Sequence, residues 1–95
     1  PGFPGGEEAL LKYISDHIEY PTMAVERGIE GRVTVRFVVN KDGYVQDVTV
    51  IRGVHELLDK EAVRVIQSLP RWNPGKQNGV AVAVYYNVPV NFTLQ

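Results

Sequence analysis

The sequence predicts an α+β fold: a three-stranded antiparallel sheet, order 2-1-3, packed by helices in the chain order α, short α, β, β, α, β. Three observations predict it. Every even position from Val80 to Leu94 is apolar (Val80, Val82, Val84, Tyr86, Val88, Val90, Phe92, Leu94), the period of a strand with one buried face. Arg32 to Val39 alternates in the same way and runs into Asn40-Lys41-Asp42-Gly43, a hairpin signal because Asp-Gly tolerates positive φ. Two further stretches carry apolar residues three and four positions apart, the stripe of an amphipathic helix.

Taken in order, Pro1-Gly2-Phe3-Pro4-Gly5-Gly6 reads as the end of a linker, since Pro and Gly oppose regular structure, and residues 7–95 read as one domain. A helix is expected from Glu7, whose acidic start suits the helix dipole, to Tyr20, which Pro21 pushes out of the α region. Leu10, Leu11, Ile14 and Ile18 form its apolar stripe. Thr22 is the expected N-cap of a short helix, Met23 to Arg27, stopped by Gly28. Strand one is Arg32 to Val39 and strand two Tyr44 to Ile51, where Val45 is out of phase with Val48 and Val50; a β-bulge near Gln46 or Asp47 repairs the phase. The second main helix spans Glu56 to Leu69, with Leu58, Ala62, Val65, Ile66 and Leu69 inward and Lys60, Glu61, Arg64 and Gln67 outward. Arg71 to Gly79 reads as a loop with two turn signals, followed by one long strand to the C-terminal end.

That last strand fits either parallel beside strand two or antiparallel beside strand one. Order 2-1-3 makes the sheet wholly antiparallel and leaves the last strand on an edge, where Pro89, which has no N–H to donate, belongs. A long β-branched edge is normally an aggregation hazard, so a chain that keeps one is expected to use it.

Composition excludes several classes. A 95-residue chain with 44% apolar and 22% charged residues is an ordinary globular domain with one modest core. A net charge of −1 gives no electrostatic case for nucleic acid or an anionic membrane, and the absence of Cys removes disulfides and thiolate metal sites. No apolar run approaches the ~20 residues that span a bilayer. The chain opens on Pro1 rather than Met and is expected to be a fragment whose membrane or targeting segment lies upstream.

No catalytic constellation is visible, so no enzyme activity and no cofactor are expected. His17 and His55 have no metal-ligand spacing to another candidate, and Ser15 and Ser68 have no base partner in a motif. Asp59 and Glu61 read as surface charges at a helix start. Arg32 and Arg36 share the second face of strand one, with Arg52 after strand two; a solvated face is the plainer reading and an anchor for a partner carboxylate the sharper one. Trp72, between Pro70 and Pro74, reads as a cap on the core.

Tyr20-Pro21, Ala24, Gly28-Ile29-Glu30-Gly31, Val33, Val35, Phe37, Asp42-Gly43, Leu58-Asp59, Glu61-Ala62, Trp72, Pro74-Gly75, Gly79 and Val88-Pro89-Val90-Asn91-Phe92 occur in that order. The combined pattern, over roughly residues 20–95, resembles the C-terminal domain family of TonB, the periplasmic energy transducer of Gram-negative bacteria. The resemblance implies a periplasmic domain of an inner-membrane-anchored protein that works with ExbB and ExbD through the region upstream. It implies capture of the TonB box, an extended segment of an outer-membrane transporter, as a strand added beside the final strand, so that siderophores, cobalamin or glycans enter. The residues it places at the partner are Glu19, Tyr20 and Pro21, together with Val82, Ala83, Val84, Tyr85, Tyr86, Asn87 and Val88. Where the family typically carries a Gln before Tyr-Pro, this chain has Glu19, which accepts but cannot donate hydrogen bonds, so it either meets a basic group or plays no part.

Strand addition draws on backbone hydrogen bonds, each worth about 0.5–1.5 kcal/mol net, so about four to six of them predict micromolar or weaker affinity. The alternatives are a homodimer formed through the same strand, or a TonB-like interaction domain of another envelope protein such as a membrane peptidase or sensor.

Overall fold

A computed structural model describes residues 2–95. The elements are α1 (Gly6–His17), α2 (Thr22–Glu26), β1 (Gly31–Val39), β2 (Val45–Arg52), α3 (Glu56–Gln67), β3 (Gly75–Gln77), β4 (Val80–Val82) and β5 (Val84–Phe92). β2, β1 and β5 form the expected antiparallel sheet, with β1 in the centre and β5 on an edge.

The turn chemistry between β1 and β2 is local. Asn40 Oδ1 accepts from the backbone N–H groups of Asp42 and Tyr44, both at 3.0 Å, and Gly43 takes a left-handed φ of 92°. The expected bulge is present: Asp47 adopts a φ of 54°, and Asp47 and Val48 together oppose Phe37. A second irregularity, unforeseen, leaves Ile51 between the pairs Thr34–Arg52 and Val35–Val50. The slip at Asp47 keeps Val45, Val48 and Val50 against the core cluster despite their uneven spacing; the one at Ile51 lies beyond them.

The core is one layer of helices on one face of this sheet. Val33, Val35, Phe37 and Val39 of β1 are wholly buried, as are Leu58, Ala62, Val65 and Ile66 of α3, and Val88, Val90 and Phe92 of β5 complete the inner face. Burying a side chain of this kind is worth about 1.5–3 kcal/mol each, which is what holds α3 to the sheet. α1 contributes Leu10 and Ile14, while Leu11, expected on the same stripe, is exposed.

Several boundaries differ from expectation. α1 stops at His17, not Tyr20: Ile18 is already extended, and the chain from there to Pro21 is held against α3. Pro21, not Thr22, occupies the N-cap of α2, its carbonyl accepting from Ala24 and Val25. α3 closes at Gln67, two residues before Leu69. Of the stretch read as a linker's end, Pro1 lies outside the described residues, Gly2 exchanges backbone hydrogen bonds with Asn73, and Phe3 is only 8% exposed, edge-on to Trp72 and Tyr13.

The largest correction concerns the long C-terminal strand, which is two strands. Val80–Val82 folds back on Gly75–Gln77 as a separate ribbon, in the register Gly75–Val82 and Gln77–Val80, and the main strand starts at Val84. Asn78 and Gly79, with φ of 52° and 80°, make a two-residue turn of the kind whose twist suits a hairpin. The ribbon makes little contact with the other elements, so Val80, expected to be buried, is 64% exposed.

Candidate functional site

β5 lies antiparallel to β1 from Val84–Val39 to Phe92–Gly31, and no other strand pairs with it among the described residues. Among the described residues no strand therefore covers its other side. Pro89 sits within this strand opposite Thr34, and pairing with β1 continues past it to Phe92, so the proline does not end the strand.

Alternation along β5 sorts its side chains. Tyr86 and Val88 turn inward: Tyr86 stacks on Phe37 with centroids 5.9 Å apart and is tilted on Trp72 at 4.9 Å. Tyr85 and Asn87 turn outward, Tyr85 with 73% of its surface exposed. On that outer face Arg36 of β1 reaches across, its Nε donating to Asn87 Oδ1 at 3.3 Å, and Arg32 does the same to Asn91 Oδ1 at 3.0 Å. Val38 is buried on this face too, between Gln46 of β2 and Tyr85 of β5, outside the main core cluster.

The first turns of α1 run beside β5 and leave a cleft of about 360 Å³ along residues 86–89, lined by Phe3, Leu10, Leu11, Trp72, Tyr86 and Val88 among others. The indole Nε1 of Trp72 is buried without a hydrogen-bond partner among the described residues. Trp72 is itself tied to the β1–β2 turn: its N–H donates to Gly43 O at 2.7 Å, and Arg71 donates to Asp42 O at 2.7 Å while its guanidinium lies 5.4 Å from the centre of the Tyr44 ring. The Asp-Gly and Trp-x-Pro-Gly stretches of the sequence are thus one interlocked unit that props the middle of β5 from below.

The sequence-predicted residues do not form one patch. Val82 belongs to β4, opposite Gly75, and Ala83 separates β4 from β5; Val84, Tyr85, Tyr86, Asn87 and Val88 form the first half of β5. Glu19, Tyr20 and Pro21 lie in the connection between α1 and α2. Tyr20 packs edge-on against Phe92 at 5.5 Å, near the far end of β5, and its hydroxyl donates to Ile29 O. Glu19 uses its backbone, its N–H donating to Glu61 Oε2 at 2.6 Å.

Glu61 is the residue sequence reasoning misjudged. Expected on the outer side of α3, it is 9% exposed and held by Arg64 through two contacts of 2.7 Å, while Arg64 also donates to His17 O at 2.9 Å. Burial acts to raise the Glu61 pKa, but the hydrogen bonds from Arg64 and the Glu19 N–H, with the Arg64 charge, outweigh it and hold the carboxyl below its ordinary value of 4.5. The pair holds the α1 side of the α1–α2 connection, at His17 and Glu19, on α3. The i, i+3 spacing of Glu61 and Arg64 was the available signal, though spacing alone cannot tell a buried pair from an exposed one. Asp59 likewise binds backbone, accepting from Val54 N–H at 3.0 Å.

The remaining polar candidates have structural tasks. His17 Nδ1 donates to Tyr13 O at 2.8 Å and its ring stacks on Tyr13 at 3.9 Å; His55 caps α3 by accepting from Leu57 N–H at 3.1 Å. Ser68 Oγ donates to Val65 O at 2.6 Å. Among the described residues no three His, Asp or Glu side chains come together as a metal site would require, and no helix is long and apolar enough to cross a membrane.

Comparison with known proteins agrees with this architecture. Residues 16–94 match the family model described as Gram-negative bacterial TonB protein C-terminal. A Helicobacter pylori protein named Protein TonB is 34% identical over 97 aligned positions, covering 97% of this chain and 33% of that protein. A Pseudomonas aeruginosa Protein TonB is 39% identical over 64 positions, 67% of this chain and 19% of that protein. The chain therefore spans a third or less of these relatives. Among solved structures, the NMR structure of the H. pylori TonB C-terminal domain superposes with a TM-score of 0.69 at 30% identity, over 90% of each chain. That of P. aeruginosa gives 0.66 at 33% identity, over 81% of this chain and 78% of that one.

Proposed function

Because this chain belongs to the TonB C-terminal domain family, we propose that it captures an extended segment of an outer-membrane transporter, the TonB box, as a fourth strand on the free side of β5. The capture passes inner-membrane energy to the transporter and drives uptake of a siderophore, cobalamin or glycan. The domain works in the periplasm, with ExbB and ExbD engaged by parts of the protein outside this chain. Its role is mechanical rather than catalytic.

The observation that carries this reading is the position of β5: one side is paired along its length with β1, and the other pairs with no strand among the described residues. Backbone pairing tolerates varied partner sequences, which suits one adaptor serving several transporters. In this reading pairing begins at Val84 and includes Tyr85, Tyr86, Asn87 and Val88, since Val82 and Ala83 lie before the strand joins the sheet; β5 runs on to Phe92, so a longer segment continues along it past Pro89. The cleft beside Tyr86 and Val88 would receive an inward-facing apolar side chain of the same segment. Glu19, Tyr20 and Pro21 contribute by fixing the α1–α2 connection and by supporting Phe92.

The test is titration of the chain with a transporter N-terminal peptide, followed by amide shifts in NMR. Shifts concentrated at Val84 to Val88 are expected; a peptide from a transporter known to couple that moves none of them would sink the reading. The exposed edge also favours a second reading, in which β5 pairs with β5 of another copy. Sedimentation at several concentrations separates the two, because a stable dimer with no free edge has no place for a box.

A further inference from the structure

We propose that the strand β5 captures is acidic on its outward face, with one carboxylate beside Asn87 received by Arg36 and a second, four residues along, beside Asn91 received by Arg32. This names the chemistry of the partner in the reading above and rests on it.

The two arginines are pre-aimed. Each stands directly opposite an asparagine across the β1–β5 ladder, in the pairs Arg36–Asn87 and Arg32–Asn91, and each gives its Nε to that amide oxygen. The guanidinium has therefore already crossed from β1 to lie against β5. Engaging Nε leaves the two terminal nitrogens with their N–H donors, in the fixed fork that matches a carboxylate. A strand added beyond β5 would put its outward side chains about 4.5–5.5 Å from those of β5, within reach of those donors. Asn87 and Asn91 share a face because side chains alternate, and four residues of strand place them about 13 Å apart.

Among the described residues neither arginine is in an ion pair. Neither β1 nor β5 contains an acidic residue, although the chain has eleven in all and a net charge of −1. The ion pairs among the described residues are Lys12–Asp16 and Glu61–Arg64, neither on this sheet face. Arg52 of β2, opposite Thr34, adds a third cation, and the acid on β2, Asp47, sits at the bulge beside Gln46. Tyr85, two residues before Asn87 on the same face, gives the incoming strand an aromatic surface at the end of the row.

Three synthetic extended peptides of equal length test this. One carries serine at two outward positions four apart, one carries glutamate there, and one carries the same glutamates shifted by one residue onto the opposite face. With the outward glutamates, binding about three- to tenfold tighter than the serine peptide is expected at low salt, an advantage that shrinks in about 0.5 M salt. In the Arg32→Gln/Arg36→Gln chain the ratio between these two peptides falls to about one, while Arg36→Lys, which keeps the charge but not the fork, keeps part of it. Equal affinity of the serine and outward-glutamate peptides, or an equal gain from the shifted glutamates, overturns the inference while β5 capture stands. If none of the peptides moves the amides of Val84 to Val88, the capture reading itself falls.

Discussion

Arg36 and Asn87 stand opposite each other across the central and edge strands, joined from Nε to Oδ1 at 3.3 Å. The contact lies on the solvent face, directly above the point where Phe37 and Tyr86, one residue away on each strand, stack in the core. One pair of strands thus carries the packing of the domain on one face and a charged, ordered surface on the other. Substitutions on the two faces should separate stability from recognition, and the predictions below use that separation.

Tyr85→Ala removes a side chain that is 73% exposed, so stability should change by no more than about 0.5 kcal/mol in urea unfolding. Affinity for a box peptide should fall, since the aromatic surface beside the pairing stretch is lost. Unchanged peptide affinity would show that Tyr85 has no part in capture.

Glu61→Gln should cost about 1–3 kcal/mol, because it weakens the hold on Arg64 and on the Glu19 N–H in a largely buried setting. The same group sets a pH dependence. Its carboxyl is held below 4.5 in the folded chain, so its contribution is complete above that value and drains away as pH falls through and below it. Urea midpoints at pH 7 and in the acid range should converge between the native chain and Glu61→Gln as pH drops; a constant gap would refute the assignment.

Gly43→Ala should cost more than the roughly 1–2 kcal/mol that a side chain in the left-handed region costs by itself. A Cβ there would come within 2.2 Å of Trp72 O, a backbone atom that cannot swing aside, and would part the turn from the Trp72 loop. Thermal unfolding with Trp72 fluorescence as the probe reads both effects.

Phe3→Ala should destabilise by about 3–5 kcal/mol if Phe3 is a true core residue, as its contacts with Trp72 and Tyr13 indicate. A change below about 0.5 kcal/mol, the range of a surface position, would return the opening hexapeptide to the status of a linker.

Val80→Ser should be close to neutral, within about 0.5 kcal/mol, because the β3–β4 ribbon leaves this valine exposed. A strand running unbroken from Val80 into the sheet would bury it and predict a clear loss.

Much of this was legible in the sequence because it is governed by local chemistry. Alternation in Arg32 to Val39 shows which face of β1 is inward, and the out-of-phase Val45 points to a bulge near Gln46 or Asp47; the structure has its left-handed residue at Asp47. The spacing of Leu58, Ala62, Val65 and Ile66 identified the buried side of α3, and Leu69, two residues past its end, is buried as well. The stretch to Gly79 carries turn signals, but they read as a loop rather than a hairpin, because the valines after Asn78-Gly79 make one continuous apolar phase.

By itself the sequence determined the helices, the three strands of the main sheet, their order and the edge position of β5, since period, turn residues and a proline in the last strand act over a few residues. Tertiary structure decided where that strand begins. β1 ends at Val39 opposite Val84, so the residues before Val84 have no sheet neighbour to pair with, and they satisfy their backbone against Gly75–Gln77 instead. It also decided that Glu61 is buried, because only the docking of the α1–α2 connection on α3 brings the Glu19 N–H to its carboxylate. The alternating pattern runs through all of Val80 to Leu94, but β1 partners only Val84 to Phe92, so only that part joins the edge of the sheet.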